Sequence, residues 1–214
     1  MSRVRRLSVR CRWAIVLGAT VLSFAAERAA ATPPAIPGRA TAQSELDALV
    51  VAPEGTMAGY ARELFPHWII VSGTCSAREA VLRRDGSGVS VDAACRPTSG
   101  SWFSQYDAVT LTSAASVDID HVVPLAEAWR SGASSWTTSR RQSFANDLVD
   151  PQLIAVSAAS NRAKSDQDPA AWQPRAAYVC MYAELWIGSK HAWDLRLQPA
   201  EKSALQAMLN TCAP

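Results

Sequence analysis

The chain has 214 residues, 49% hydrophobic and 19% charged, with twelve prolines, ten glycines and five cysteines. That composition excludes a collagen-like or disordered chain and supplies apolar side chains for a substantial core. The formal charge of +2 is uneven: residues 1–31 hold six arginines and one glutamate, and the remainder carries 15 basic against 18 acidic side chains, which excludes a basic nucleic-acid coat protein.

Arg3, Arg5, Arg6, Arg10 and Arg12 precede an apolar run from Trp13 to Ala26, and small residues ending Ala29-Ala30-Ala31 follow it. Positive stretch, short apolar stretch and A-x-A site together predict a secretory signal peptide over residues 1–31. The run is shorter than the roughly 20 residues that span a bilayer, and no later segment reaches that length without charges. The expectation is a secreted protein with no stable membrane association after cleavage; an uncleaved anchor is the alternative. Arg5-Arg6 alone is weak evidence for twin-arginine export. Residues 32–43, rich in proline and small side chains, are expected to form a flexible leader, and residues 44–214 a single domain.

Within that domain Ser76-Ala77-Arg78-Glu79 fits a capping box opening a helix that carries Val81 and Leu82 and ends by Asp85-Gly86. Val89 to Val91 reads as a short strand and Pro97 to Gly100 as a turn. Val117 to Val123 and Leu153 to Val156 are strands by their β-branched and aliphatic content. Ser139-Arg140-Arg141-Gln142 matches a second capping box, and Asp168-Pro169 opens a short helix with proline at its first position. The class is mixed α+β with a helical C-terminal third.

Cleavage of the signal peptide would take away Cys11 and leave Cys75, Cys95, Cys180 and Cys212, an even number in a chain bound for an oxidising compartment. Pro199 opens a helical pattern in which Leu205, Met208, Leu209 and Cys212 share a stripe, and Cys180 shares one with Ala176, Val179, Ala183 and Ile187. Two disulfides are expected, Cys180 with Cys212 and Cys75 with Cys95. Zinc is the competing reading, but no C-x-x-C pair occurs and His67 and His191 have no ligand partner at short spacing.

The chemistry lies in Asp118-Ile119-Asp120-His121-Val122-Val123-Pro124-Leu125 and, forty residues after His121, Asn161-Arg162-Ala163-Lys164-Ser165-Asp166. Alternation puts Asp118 and Asp120 on one face of a strand and His121 on the other unless the chain bends. The second stretch reads as a strand running into a short helix. A phosphodiester is anionic and repels nucleophiles, so its hydrolysis calls for a cation that neutralises developing charge. Asp120 and Asn161 offer oxygen ligands of the sparse kind magnesium accepts. A neutral His121 can take a proton from the attacking water while an acceptor, most cheaply a backbone carbonyl, holds its other ring nitrogen. Arg162 and Lys164 can grip flanking phosphates.

At these residues the chain resembles the HNH endonucleases, and in particular a secreted HNH family related to the C-terminal nuclease domain of GmrSD-type restriction enzymes. Both stretches also look like the two halves of the HNH domain of RNA-guided nucleases. Ala128-Trp129-Arg130-Ser131-Gly132-Ala133, Phe144-Ala145-Asn146-Asp147, Pro169-Ala170-Ala171-Trp172 and the four cysteines extend the likeness over most of residues 60–214. The resemblance implies a His-Me finger (ββα-metal, HNH) core with additional helices, His121 as general base, a divalent metal, most simply Mg2+, on Asp120 and Asn161, and products bearing a 5′-phosphate and a 3′-hydroxyl. Nine residues before Asn161, where many HNH domains carry their middle asparagine, stands Gln152. Asn146 lies six residues earlier; either amide can brace the loop between the strands, with a slight preference for Asn146.

Each of these residues also has a plainer reading. An isolated Asp-His pair or Asn-Arg-x-Lys is ordinary surface chemistry; joined at this separation, with a strand before the first and a helix at the second, they point to a nuclease. Asp118 reads as a solvated strand residue or an outer partner of the metal, Arg78 as a surface or ion-pair residue, and His67 and His191 as structural. Trp129, Trp136, Trp172, Trp186 and Trp193 suit packing better than base stacking. Arg130, Arg140, Arg141 and Arg175 are candidates for a substrate-facing rim, although residues 121–175 carry only six basic against five acidic side chains. The expected partner is nucleic acid, DNA first and RNA as the second candidate, held in a salt-sensitive, sequence-tolerant way. The rivals are an exported binding or scaffold domain without turnover, and a toxin effector with the same chemistry.

Overall fold

The computed structural model describes Met1 and residues 32–213; the signal-peptide reading and Cys11 lie outside the described residues. The chain enters the fold earlier than composition suggests. Helix α1 (Arg39–Ala48) begins inside the expected leader, buries Ala42 and Leu46 one turn apart, and pairs Gln43 with Gln206 through amide bonds of 2.9 and 2.8 Å. Pro37 seats on Gly188, where an added Cβ would come within 2.8 Å of its ring. The flexible leader over residues 32–43 is therefore corrected: an apolar stripe at positions 42 and 46 finds a helical surface, and propensity for disorder yields to burial.

A short hairpin of β1 (Ile70–Ser72) and β2 (Cys75–Ser76) leads into α2 (Ala77–Asp85), whose start carries the expected capping box, with Glu79 accepting from the Ser76 amide and hydroxyl. An antiparallel sheet follows: β3 (Gly86–Val91), β4 (Pro97–Ser104) and β5 (Val109–Leu111). The turn expected over Pro97 to Gly100 is instead the start of β4. Pro97 takes the first strand position, where a missing N–H is tolerated, and the reversal falls upstream, around Asp92, whose carboxylate accepts from the Ala94 and Arg96 amides.

At the centre β6 (Val117–His121) and β7 (Leu153–Ser157) pair antiparallel, Asp120 opposite Ile154 and His121 opposite Leu153, and β7 runs straight into α5 (Ala158–Lys164). Side-chain alternation divides the two cores. Val117, Ile119, Leu153 and Ala155 pack with Val81, Leu82 and Trp102, while Ile154 and Val156 face a larger helical core. That core is built from α1, α3 (Leu125–Arg130), α4 (Thr138–Ala145), α6 (Val179–Ala192) and α7 (Pro199–Leu209), and contains Phe144, Tyr182, Trp186 and Leu205. Trp136, Trp172 and Trp193 pack at its margin.

Two local expectations shift. The cap of α4 is Thr137, whose hydroxyl accepts from the Arg140 amide, so Ser139 lies inside the helix. Asp168-Pro169 makes one turn, in which the Asp168 carboxylate accepts from Ala170 and Ala171, and the chain from there to Arg175 is not helical. The disulfides join Cys75 to Cys95 and Cys180 to Cys212, the pairing expected from the two helical stripes. The protein is mixed α+β, and among the described residues no helix is long and apolar enough to cross a membrane.

Candidate active site

Asp120 and His121 leave β6 on opposite faces, yet both line one cleft of about 500 Å³ where the strand ends. Its other walls include Asn161 and Arg162 from α5, and Tyr60 and Arg62 from the segment before β1. Asn161 and Lys164 stand three residues apart on one helix face, which matches the two-residue step from Asp118 to Asp120 along the strand. Asn161 Nδ2 donates to Asp118 Oδ2 at 3.1 Å and Lys164 Nζ to Asp120 Oδ1 at 2.9 Å. The amide hydrogens, not the carbonyl oxygen, are what Asn161 spends on Asp118.

Asp120 is buried, and its second oxygen accepts from the Tyr106 hydroxyl at 2.7 Å. Desolvation pushes its carboxyl above the usual range, opposed by the Lys164 charge and by the hydrogen bonds from Lys164 and Tyr106. Burial pulls the Lys164 ammonium down for the same reason. The phosphate-gripping role expected of Lys164 is corrected: its side chain has 0% exposure, and its remaining bond goes to the His121 carbonyl at 3.0 Å. Arg162, by contrast, is 79% exposed and 3.9 Å from Asp118.

His121 is also buried, with Nε2 2.9 Å from the Ala145 carbonyl oxygen. A carbonyl only accepts, so Nε2 carries the proton and Nδ1 the lone pair. Burial holds the ring far below its ordinary value, at about 3, so it is neutral at physiological pH. One face stacks on Trp68, with centroids 5.3 Å apart and planes 29° apart.

The two candidate amides serve different ends. Gln152, with 0% exposure, donates to the Val123 carbonyl at 2.8 Å and accepts from the Val123 amide at 3.1 Å, so it is Gln152 that ties the exit of β6 to the start of β7. Asn146 caps α4 and reaches away from the strands, donating to Pro66 and Gln142 and accepting from the Ile69 amide. Both amides therefore brace the chain between the strands, Gln152 at the strand junction itself and Asn146 at the end of α4, next to the Ala145 carbonyl that meets His121.

The suggested arginine rim does not form. Arg130 is held by Glu54, Glu127 and Asp166, Arg141 by backbone carbonyls, Arg140 by Asp194 and the Trp193 carbonyl, and Arg175 by Gln105. Arg62, Trp68 and Tyr106 are the contributors that the sequence did not reveal. Each lies in a loop or single turn, with no local pattern pointing to a strand 14 to 59 residues away.

Residues 96–208 match the family of C-terminal domains of GmrSD restriction endonucleases, and the chain belongs to that nuclease-related family. Over 200 residues it is 58% identical to a protein of Arthroderma benhamiae called an uncharacterized secreted protein, covering 93% of this chain and 97% of that one. No solved structure matches it.

Proposed function

We propose that this protein is an exported, metal-dependent HNH endonuclease that hydrolyses phosphodiester bonds in DNA, with RNA as a further substrate to be tested. The observation that carries this reading is the cleft in which Asp120, Asn161 and His121 meet, His121 being held by a carbonyl at Nε2 so that Nδ1 is the basic atom. The succession β6, β7, α5 supports a His-Me finger core, and the relative's name and the two disulfides support export.

The donor set fits a hard divalent cation. A carboxylate offers about four lone-pair positions, and Lys164 and Tyr106 occupy one on each Asp120 oxygen, while Asn161, which lines the same cleft, offers an uncharged carbonyl oxygen. Asp120 and Asn161 would hold a divalent ion such as magnesium, which would supply neutralisation of phosphate charge and easier ionisation of water. The chain's own groups do the rest. Nδ1 of His121 accepts the proton of the attacking water, and the Ala145 carbonyl keeps the ring in the tautomer that can do so. Gln152 holds the turn after His121, and Arg62 and Arg162 meet flanking phosphates as the two guanidinium groups lining the cleft.

Residues 32–214 are incubated with supercoiled plasmid, with and without magnesium and a chelator, beside His121→Ala and Asp120→Asn. Nicking that needs the metal and falls in both variants is expected; activity that survives chelation or is unchanged in His121→Ala rejects the mechanism.

A further inference from the structure

Trp68 has a backbone φ of 60°, a region that bulky residues rarely enter, and it keeps this conformation while laying its indole against the His121 ring. The segment is pinned on both sides of it. Asn146 donates to the Pro66 carbonyl at 2.8 Å and accepts from the Ile69 amide at 3.1 Å, and the same side chain donates to Gln142 at 2.8 Å. The adjacent Ala145 carbonyl takes the His121 Nε2 bond. One helix end therefore fixes both the edge of the imidazole and the residue that covers its face. Trp68 packs in turn on the cluster of Val81, Leu82 and Trp102, so the indole is wedged between that core and the histidine.

We infer that Trp68 is a positioning residue for His121: its indole closes one face of the imidazole, confines the ring to the plane set by the Ala145 bond and keeps Nδ1 aimed into the cleft, with Asn146 as its anchor. The inference rests on the reading of His121 as the base. It assigns a role to a segment outside residues 96–208, so the site is finished by chain N-terminal to the matched family domain. A stacked ring suits this task because a single hydrogen bond at Nε2 leaves rotation about its own axis free, whereas a flat surface on the ring removes that freedom.

The test compares Trp68→Gly, Trp68→Phe and His121→Ala in otherwise complete protein. Glycine accepts a positive φ, so Trp68→Gly removes the indole without backbone cost, and Trp68→Asn serves as the second such variant should the first not fold. Turnover is followed on a labelled DNA duplex with magnesium, and the His121 ring nitrogens are followed by long-range proton–nitrogen NMR without metal. With Trp68→Gly, kcat is expected to fall about 10- to 100-fold with KM within about twofold, while Trp68→Phe stays within about threefold of wild type. With the Ala145 bond in place the Nε2-protonated tautomer should persist in Trp68→Gly, while the His121 ring signals broaden as the ring swings about that bond. A raised KM at unchanged kcat would make Trp68 a substrate-stacking platform and overturn the positioning role, as would an unchanged kcat with unbroadened ring signals. If His121→Ala keeps wild-type turnover, the base assignment falls and this inference with it; if His121→Ala is inactive while Trp68→Gly is not, only the inference falls.

Discussion

Lys164 Nζ lies 2.9 Å from Asp120 Oδ1 in the protein interior, so the lysine one turn after Asn161 points at the strand and not at solvent. Tyr106 completes the arrangement from the other carboxylate oxygen. A buried carboxylate needs charge balance, and Lys164 supplies it at the cost of desolvating two ions.

Lys164→Met removes that balance and leaves Asp120 buried without its ion-pair partner. The variant should lose about 3–5 kcal/mol of stability at neutral pH. Urea unfolding checks this, and a loss below about 1 kcal/mol is inconsistent with a structural ion pair.

Acidification acts through His121. Its folded value of about 3 lies below the ordinary 6.5, so between these values the unfolded chain binds a proton that the folded chain refuses. This contribution is complete above pH 6.5 and is lost as pH falls towards 3, with a slope approaching about 1.4 kcal/mol per pH unit. His121→Gln should flatten that limb when stability is measured against pH in a chelating buffer; an identical limb in the variant assigns the acid sensitivity elsewhere.

A chain beginning at Ser44 lacks the first half of α1, including Ala42 and the Gln43 to Gln206 bonds. Relative to residues 32–214 it should be less stable by about 2–4 kcal/mol, from lost burial and hydrogen bonding against α6 and α7. Thermal unfolding of the two proteins decides the matter, and equal midpoints would restore residues 32–43 to the status of a leader.

Each disulfide closes a loop of moderate size, with sequence separations of 20 and 32. Replacing Cys180 and Cys212 by alanine should cost about 3–4 kcal/mol. Cys75 and Cys95 join the β1–β2 hairpin to the loop before β4, so their loss should loosen that edge first. Hydrogen exchange of residues 70–100 reports it, with the α6–α7 region unchanged.

The places of Asp120-His121 at a strand end and of Asn161 in the helix after the second strand were legible before any fold was known, because strand alternation, a following proline and a strand-to-helix junction are local properties of neighbouring residues. The cysteine pairing was equally legible, since helical spacing pointed Cys180 and Cys212 towards each other, although both are half-buried and Cys212 lies just past the end of α7. Position 164 was not. Whether a helical lysine meets solvent or a carboxylate depends on what lies across from that helix face, and Asp120 is 44 residues away.

The same reason separates the rest. The sequence by itself determined the α+β class, the two disulfides and the two central strands. Only the tertiary structure decided that Gln152 joins the β6 exit to the start of β7, that residues 39–43 belong to a helix, and that Trp68 covers His121. Those outcomes follow from long-range packing, where a contact forms because folding buries two surfaces together and not because neighbouring residues prefer it.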